Sequence, residues 1–335
     1  MESVTIVDIA KRANVSVSTV SRVLNNRPDV SQKTRERIHT AIKELQYSPN
    51  HVARGLVLKR SNTIGFIASD ITNASFPELA RGVVYKARTL GYSVIFFDAQ
   101  QDSGVEKEAL SLLKSKQVDG IILSFNEANR DELLRLRNEN FPVVQIYRKS
   151  SDSTISTIAI DNVASGYQGT KYLIEAGHTR IGHITTGDLT QSGYERKLGY
   201  LKALSEAEIE IDSSIIVQGV SSIESGKSCM KRLLDLQDPP TAIFASHDVL
   251  AIGAYHAVFD RGLSIPDDIS VVGHDNIEIS RMIRPKLTTL DTFKDRLGQS
   301  AMDLLIEEIE ADTHQCKEVV FQAELIVRES VKVLK

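Results

Sequence analysis

Short β-branched runs alternate with amphipathic helical segments from about residue 62 to residue 274, and this alternation restricts the fold more than any other feature. One series begins with the run Thr63–Ala68 and ends at Val143–Tyr147, and a second runs from Arg180–Thr185 to Ile269–His274. Such alternation is typical of βαβ units that build a parallel sheet. The sequence therefore predicts two similar α/β lobes.

The first 60 residues have a different, helical spacing of apolar side chains. Helices are predicted from Thr5 to Arg12, from Val17 to Leu24 and from Ser31 to Leu45, and Ser16 is a suitable N-cap for the second of them. Two short helices joined by a tight turn, with a third packed across them, form the helix-turn-helix layout. The chain is thus expected to begin with an all-α module.

Charge is divided unevenly between these two parts. Residues 1–60 hold 11 Lys and Arg against 5 Asp and Glu, which leaves 29 against 39 in the rest of the chain. A basic module suits a polyanion such as nucleic acid, whereas the acidic remainder does not.

Neither a secretory leader nor a membrane-spanning run is visible in the sequence. The N-terminus has no basic start followed by an apolar stretch, and no run approaches the roughly 18 apolar residues that a membrane helix needs. A cytoplasmic protein without membrane contact is expected. Cys229 and Cys316 form no CxxC pair, so they are interpreted as small apolar side chains.

Catalytic and metal-binding motifs are not found in the sequence. Ser225-Gly226-Lys227-Ser228 resembles the end of a phosphate-binding loop, but Ser221 stands where that motif requires glycine. A helix N-terminus with a serine cap explains the segment better. The chain is therefore predicted not to be an enzyme and to need no cofactor or metal ion.

Similarity to a known family extends along almost the whole chain. The matching segments are Thr5–Ala10, Ala13–Asn25, Ser31–Arg35, Leu45–Asn50, Ala53–Leu56, Val118–Ile122, Ala176–His178, Arg196–Tyr200, Pro240–Phe244, Asp260–Gly262, Ser270–Gly273 and Arg284–Thr289. In these segments the chain resembles the lactose-repressor (LacI/GalR) family of transcriptional regulators.

The resemblance implies an α/β protein with an N-terminal all-α helix-turn-helix headpiece and a two-lobed, periplasmic-binding-protein-like core with parallel sheets. The implied divisions are a headpiece at 1–49, a hinge helix and linker at 50–61, an N-terminal lobe at 62–161 plus 291–319, and a C-terminal lobe at 162–290 plus 320–335.

Operator DNA is the partner that the resemblance implies for the headpiece. Val17, Ser18 and Arg22 would read bases in the major groove, with Arg22 suited to guanine and Val17 to a thymine methyl. Leu56 would wedge into the minor groove. The remaining expected DNA contacts are Thr5, Ser16, Thr19, Ser21, Asn25, Thr34, Asn50 and Ala53.

A small-molecule effector is expected between the lobes, beyond the carboxyl ends of the parallel strands. The expected contacts are Asp70, Phe76, Phe125, Tyr147, Arg148, Gln191, Arg196, His247, Asp248, His274 and Asp275. His247 replaces a frequent Asn of the family, His274 a frequent aromatic residue and Tyr147 a frequent Asp. With Arg148 and Arg196, the two histidines suggest an anionic ligand or sugar acid, against the alternative of a neutral polyol.

The sequence thus predicts a regulator, in the form of a repressor of carbohydrate genes, that binds a near-palindromic operator as a homodimer. Its effector would be a sugar, sugar acid or sugar phosphate, and a protein co-regulator is left open. The main alternative is a sugar-binding protein of the transport type, which would have no use for a basic headpiece. A two-lobed enzyme such as a sugar kinase would need a nucleotide loop, which is not found.

Overall fold

A computed structural model describes residues 4–24, 27–47, 60–124, 129–147, 154–311 and 315–334. The chain divides after Ser61 into two compact units. Each unit is considered by itself.

The N-terminal unit contains helices α1 (Ile6–Ala13), α2 (Val17–Leu24) and α3 (Gln32–Glu44). Apolar side chains from all three helices meet in one core, with Ile9, Val20 and Ile38 fully buried. Ser16 accepts a hydrogen bond from the Thr19 N–H at 3.2 Å, which confirms it as the cap of α2. The predicted helix-turn-helix arrangement is confirmed.

The first lobe of the second unit is a parallel sheet covered by helices on its faces. Its strands are β1 (Thr63–Ala68), β2 (Ser93–Asp98), β3 (Gly120–Ser124), β4 (Val143–Ile146), β5 (Ser156–Ile160) and β11 (Glu318–Phe321), in the spatial order β11-β5-β4-β3-β1-β2. Its helices are α4 (Phe76–Thr89), α5 (Ser103–Ser115), α6 (Arg130–Asn138) and α11 (Lys294–Glu310).

The second lobe repeats this design with a smaller parallel sheet. Its strands are β6 (Ile181–Thr185), β7 (Ile216–Gln218), β8 (Ala242–Ala245) and β9 (Ser270–Val272), in the order β7-β6-β8-β9. Its helices are α7 (Asn162–Glu175), α8 (Gln191–Glu206), α9 (Ile223–Leu234) and α10 (Asp248–Asp260). An antiparallel pair, β10 (Thr289–Asp291) and β12 (Glu324–Ile326), packs against this lobe.

Two C-terminal features differ from the sequence predictions. The local pattern of Gln322–Arg328 predicts one strand, but β11 ends at Phe321 in the first sheet and β12 begins at Glu324 beside β10. The chain therefore passes between the lobes after Phe321, beyond the expected boundary at residue 319. Helix α11, which packs on α4 and on the first sheet, was not predicted.

Gly226 of the Ser225–Ser228 segment permits two helices to touch. A Cβ atom on Gly226 would lie 2.3 Å from the carbonyl oxygen of Leu250, and one on Gly253 would lie 2.1 Å from that of Ile223. Neither position can carry a side chain unless α9 and α10 move apart. This glycine therefore serves helix packing, and Ser222 caps α9 by accepting from the Ser225 N–H at 3.1 Å.

His183 lies in the core of the second lobe between two aromatic rings. Its ring centroid is 4.8 Å from that of Tyr200 and 5.1 Å from that of Phe244, and its Nδ1 hydrogen-bonds the Phe244 carbonyl at 2.8 Å. Burial lowers the pKa of His183 to about 4, so the ring is neutral at pH 7.

Replacing His183 by phenylalanine is expected to reduce the decrease in the free energy of unfolding that accompanies a fall in pH below 6.5. Below pH 6.5 the unfolded chain binds a proton at this position that the folded wild type does not, so wild-type stability falls as pH drops toward 4. One such group contributes about 1.4 kcal/mol per pH unit in that window. Denaturant unfolding of both proteins between pH 7 and pH 5 measures the difference. If the free energy of unfolding changed equally with pH in both proteins, the assignment of a neutral, buried His183 would be contradicted.

Candidate functional site

The outer face of α2 carries the side chains that were predicted to read DNA. Val17, Ser18 and Arg22 are all exposed, with 41% of Val17 accessible. Arg22 forms an exposed ion pair with Asp29, Nη1 to Oδ2 3.4 Å. Pairs of this kind contribute about 0–1 kcal/mol, so Arg22 can exchange Asp29 for another partner at little cost.

Several hydroxyls predicted to contact DNA lie at helix N-termini. The Thr5 hydroxyl donates to Asp8 at 2.7 Å, the Ser16 and Thr19 hydroxyls hydrogen-bond at 2.8 Å, and Thr34 pairs with the N-cap Ser31 at 2.8 Å. The bond from Thr5 lowers the pKa of Asp8, and all three bonds order the helix ends. Ser21 is half-buried on α2. The remaining predicted contacts, Asn25, Asn50, Ala53 and Leu56, lie outside the described residues.

Arg37 is a headpiece cation that holds the turn between α1 and α2. Its guanidinium donates to the carbonyl oxygens of Ala13 and Asn14. Asn14 adopts the left-handed conformation at φ 49°, which ends α1 and allows the chain to turn. Part of the positive charge of the headpiece therefore fixes the angle at which α2 is presented.

Between the two lobes lies a cavity of 710 Å³, formed where the parallel strands end. It is large enough for a small organic ligand. The predicted contacts that line it are Asp70, Phe76, Tyr147, Gln191, Arg196, His247 and Asp275. Phe125 and Arg148, which were also predicted, lie outside the described residues.

Arg196 of α8 is held rigidly in the wall of the second lobe. It is 4% exposed, and its Nε donates to Asn162 Oδ1 at 3.0 Å while Nη1 donates to the Ser246 carbonyl at 2.6 Å. Burial lowers the pKa of Arg196, and the Asp275 carboxylate opposes this shift. The guanidinium is thus a fixed, buried donor at the cavity.

Asp275 faces the cavity from the segment after β9. Its Oδ1 accepts a hydrogen bond from His274 Nδ1 at 3.0 Å, and its backbone has φ 109°, which is uncommon for a residue with a side chain. Burial alone would raise the pKa of Asp275, but the His274 hydrogen bond and Arg196 lower it below its ordinary value. The carboxylate is therefore an ionised acceptor.

His247 and His274 carry no charge at neutral pH. Burial, with the positive charge of Arg196, lowers the pKa of His247 to about 3 and that of His274 to about 4. A neutral His274 donates its Nδ1 proton to Asp275. The histidines therefore do not supply the positive charge on which the anionic-ligand hypothesis depended.

Direct effector contact was predicted for Asp248 and His274, and the structure places both behind the cavity wall. Each side chain is fully buried. The Asp248 carboxylate accepts hydrogen bonds from the Thr289 hydroxyl at 2.5 Å and from the Ile277 N–H at 2.9 Å. Burial raises the pKa of Asp248 to about 8. Both residues support the segment that carries Asp275, and their direct contact with an effector stays a prediction.

Asn162 is a cavity residue that the sequence reasoning missed. It is 3% exposed, and its Nδ2 donates to Glu195 Oε2 at 3.0 Å while its Oδ1 accepts the hydrogen bond from Arg196 Nε. Its position at the carboxyl end of β5 was a usable signal, since ligands bind at such ends. Glu106 also lines the cavity without having been predicted.

Comparison with known proteins connects both units to one family. The family described as "Bacterial regulatory proteins, lacI family" matches residues 5–50, and "Periplasmic binding proteins and sugar binding domain of LacI family" matches residues 61–329. The chain belongs to the LacI family. It is a DNA-binding transcriptional regulator.

Individual LacI-family proteins match over nearly the full chain. The HTH-type transcriptional repressor PurR of Mannheimia succiniciproducens is 35% identical over 329 residues, which cover 98% of each protein. A Lac repressor dimer bound to operator and the anti-inducer ONPF has a TM-score of 0.90 at 28% identity, covering 99% of this chain and 100% of that one. A CelR–cellobiose complex has a TM-score of 0.75 at 28% identity, covering 98% and 99%.

These relatives are transcriptional regulators and not enzymes. Within the described ranges, His, Cys, Asp and Glu side chains form no cluster that could hold a metal ion. In the same ranges, no helix has both the length and the apolar character needed to cross a lipid bilayer.

Proposed function

We propose that this LacI-family regulator is a repressor that binds a near-palindromic operator as a homodimer. The observation that carries the proposal is the exposed face of α2, where Val17, Ser18 and Arg22 project from a positively charged headpiece. One headpiece reads few bases, whereas a two-fold pair reads two half-sites about one helical turn apart. The Lac repressor relative forms a dimer on its operator.

We further propose that the cavity between the lobes binds a neutral, hydroxyl-rich or heterocyclic effector. Among the described lining residues, Asp70, Asp102, Glu106 and Asp275 are acidic and Arg196 is the one cation. This balance, together with two neutral histidines, disfavours sugar acids and sugar phosphates. A ligand that donates to Asp275 and accepts from Arg196 fits, and cellobiose in the CelR complex is a neutral sugar.

The division of the chain follows from the same proposal. Residues 1–49 bind DNA, residues 50–61 link them to the core, and the lobes meet at crossings near Asp161 and Asp291 and after Phe321. A cytoplasmic site of action, control of carbohydrate genes and the absence of catalysis remain predictions, and a protein co-regulator is left open.

Selection from random duplexes tests the DNA-binding proposal. The purified protein is expected to enrich one near-palindromic site, and its affinity should fall steeply between 50 and 200 mM salt because phosphate contacts release counterions. Equal retention of every duplex would contradict sequence-specific recognition. A transport-type sugar-binding protein would retain no duplex.

Tyr147 offers a test of the effector proposal. Its hydroxyl is buried at the cavity and has no hydrogen-bond partner among the described residues. Tyr147→Phe should therefore leave the free energy of unfolding unchanged or raise it, while weakening binding of a neutral ligand about tenfold. Melting temperature and calorimetry measure the two effects.

Tyr200→Phe is the matched control for Tyr147→Phe. The Tyr200 hydroxyl donates to the Ile181 carbonyl at 2.7 Å inside the second lobe. Losing that bond should cost about 1 kcal/mol of stability and leave ligand affinity unchanged. A stability loss in Tyr147→Phe equal to that of the control would show that Tyr147 is structural.

A further inference from the structure

A buried ammonium group lies at the boundary between the lobes. Lys294 is the first residue of α11 and is 1% exposed. Its Nζ donates to the backbone carbonyl of Asp275, and it pairs with Glu78 Oε2 at 3.3 Å. Glu78 lies in the first turn of α4 and also approaches Arg281, Oε1 to Nη2 4.0 Å.

These four residues come from both lobes. Helices α4 and α11 pack together on the first sheet, so Glu78 and Lys294 belong to the first lobe. Asp275 follows β9, and Arg281 ends the 3-10 turn Glu278–Arg281, both in the second lobe. The cluster therefore connects the cavity residue Asp275 with the start of α4.

Helix stability does not explain a lysine at this position. The N-terminus of a helix carries a partial positive charge, so a cation is unfavourable there, and a buried charge is costly unless it is paired. The partners that compensate Lys294 are Glu78 and the Asp275 carbonyl. If the lobes rotated apart, the ammonium would lose its hydrogen bond to the Asp275 carbonyl.

We propose that Lys294 and Glu78 form a latch that holds the Asp275 segment of the second lobe against α4 of the first and so fixes the angle between the lobes. The inference rests on the proposed role of the cavity as an effector site. The carboxylate of Asp275 faces the cavity while its carbonyl is held by Lys294. A ligand that displaces Asp275 therefore acts directly on the latch, and Lys294 is a positioning residue that need not touch the ligand.

Distance measurement between the lobes tests the latch without any ligand. Spin labels are placed on cysteines introduced at the exposed positions Glu108 of α5 and Glu224 of α9, in a Cys316→Ser background. Labelled full-length protein is mixed with excess unlabelled protein, so that each dimer carries one label pair. Electron–electron double resonance then reports the distribution of interlobe distances.

Wild type is expected to give a single narrow distance. Lys294→Met should add a second distance in about 10% or more of the molecules, because the lobe angle is no longer held. Glu78→Gln keeps a hydrogen-bond acceptor but removes the negative charge. It should add the second distance in a smaller share of the molecules. Lys86→Met is the matched control, since Lys86 pairs with Asp303 at 2.8 Å between the same two helices inside the first lobe. The distance distribution of Lys86→Met should match that of the wild type.

A folded Lys294→Met protein with an unchanged narrow distribution overturns the proposal. If that variant does not fold, Glu78→Gln decides, and an unchanged distribution there overturns it equally. Operator binding by the wild type is measured separately. A wild type that binds no operator would refute the proposed function. The interlobe distances would still test the latch, because they are measured without DNA.

Discussion

Replacing Arg22 by alanine is expected to weaken binding to the preferred operator about 10- to 100-fold and to relax the choice of base at one position of each half-site. Arg22 lies exposed on the face of α2, where a bidentate bond from arginine to guanine contributes about 1–3 kcal/mol of discrimination. The Asp29 ion pair that it would give up is solvent-exposed and weak. Affinity measured against a set of single-base operator variants gives both quantities.

Arg12→Ala is a suitable control for Arg22→Ala. The two arginine side chains are similarly exposed, at 57% and 60%, and Arg12 is paired with Glu44 at 2.6 Å. Its loss should lower affinity by a similar small factor for every sequence. If Arg22→Ala also lowered affinity equally for all sequences, Arg22 would contact phosphate and not a base.

Asp275→Ala is expected to abolish the response to effector while changing operator affinity in its absence by less than about threefold. Hydrogen bonds to a charged group contribute about 1.5–3 kcal/mol, so the ligand should bind roughly 10- to 100-fold more weakly. The effector is first found by screening neutral sugars and nucleobases for a rise in melting temperature. Calorimetry then compares the affinity of the wild type and of the variant for that ligand.

Asp70→Ala provides the matched comparison for Asp275→Ala. Asp70 also lines the cavity, but its carboxylate accepts from Thr72 at 2.6 Å and from Gln101 at 3.1 Å. Removing it should weaken ligand binding much less. Should Asp275→Ala destroy operator binding as well, its carboxylate would be part of the fold and not of the ligand contact.

Regular elements of this protein were largely predictable. Helix α2 and strand β1 have the bounds that are expected from apolar periodicity and capping residues. Helix α11 was missed although its buried residues Leu297, Ala301 and Leu305 recur at helical spacing. The run around Gln322 was mistaken for one strand, because local pattern does not show that its two halves pair in different lobes.

The cavity was predictable in location but not in every contact. Parallel strands place their carboxyl ends together, so seven of the expected residues line it. Asp248 and His274 lie at the same strand ends, yet their side chains turn into the second lobe. A strand end fixes where a residue stands, whereas packing decides the direction of its side chain.

The sequence by itself determined the modules: helical periodicity and positive charge for the headpiece, and alternation of strand and helix for two lobes. Tertiary structure decided which groups are charged and which lobes they join. The neutral state of His247 and the interlobe contacts of Lys294 depend on burial and on neighbours distant in the chain. Periodicity is a local property of a few turns, whereas burial and pairing arise only when remote segments meet.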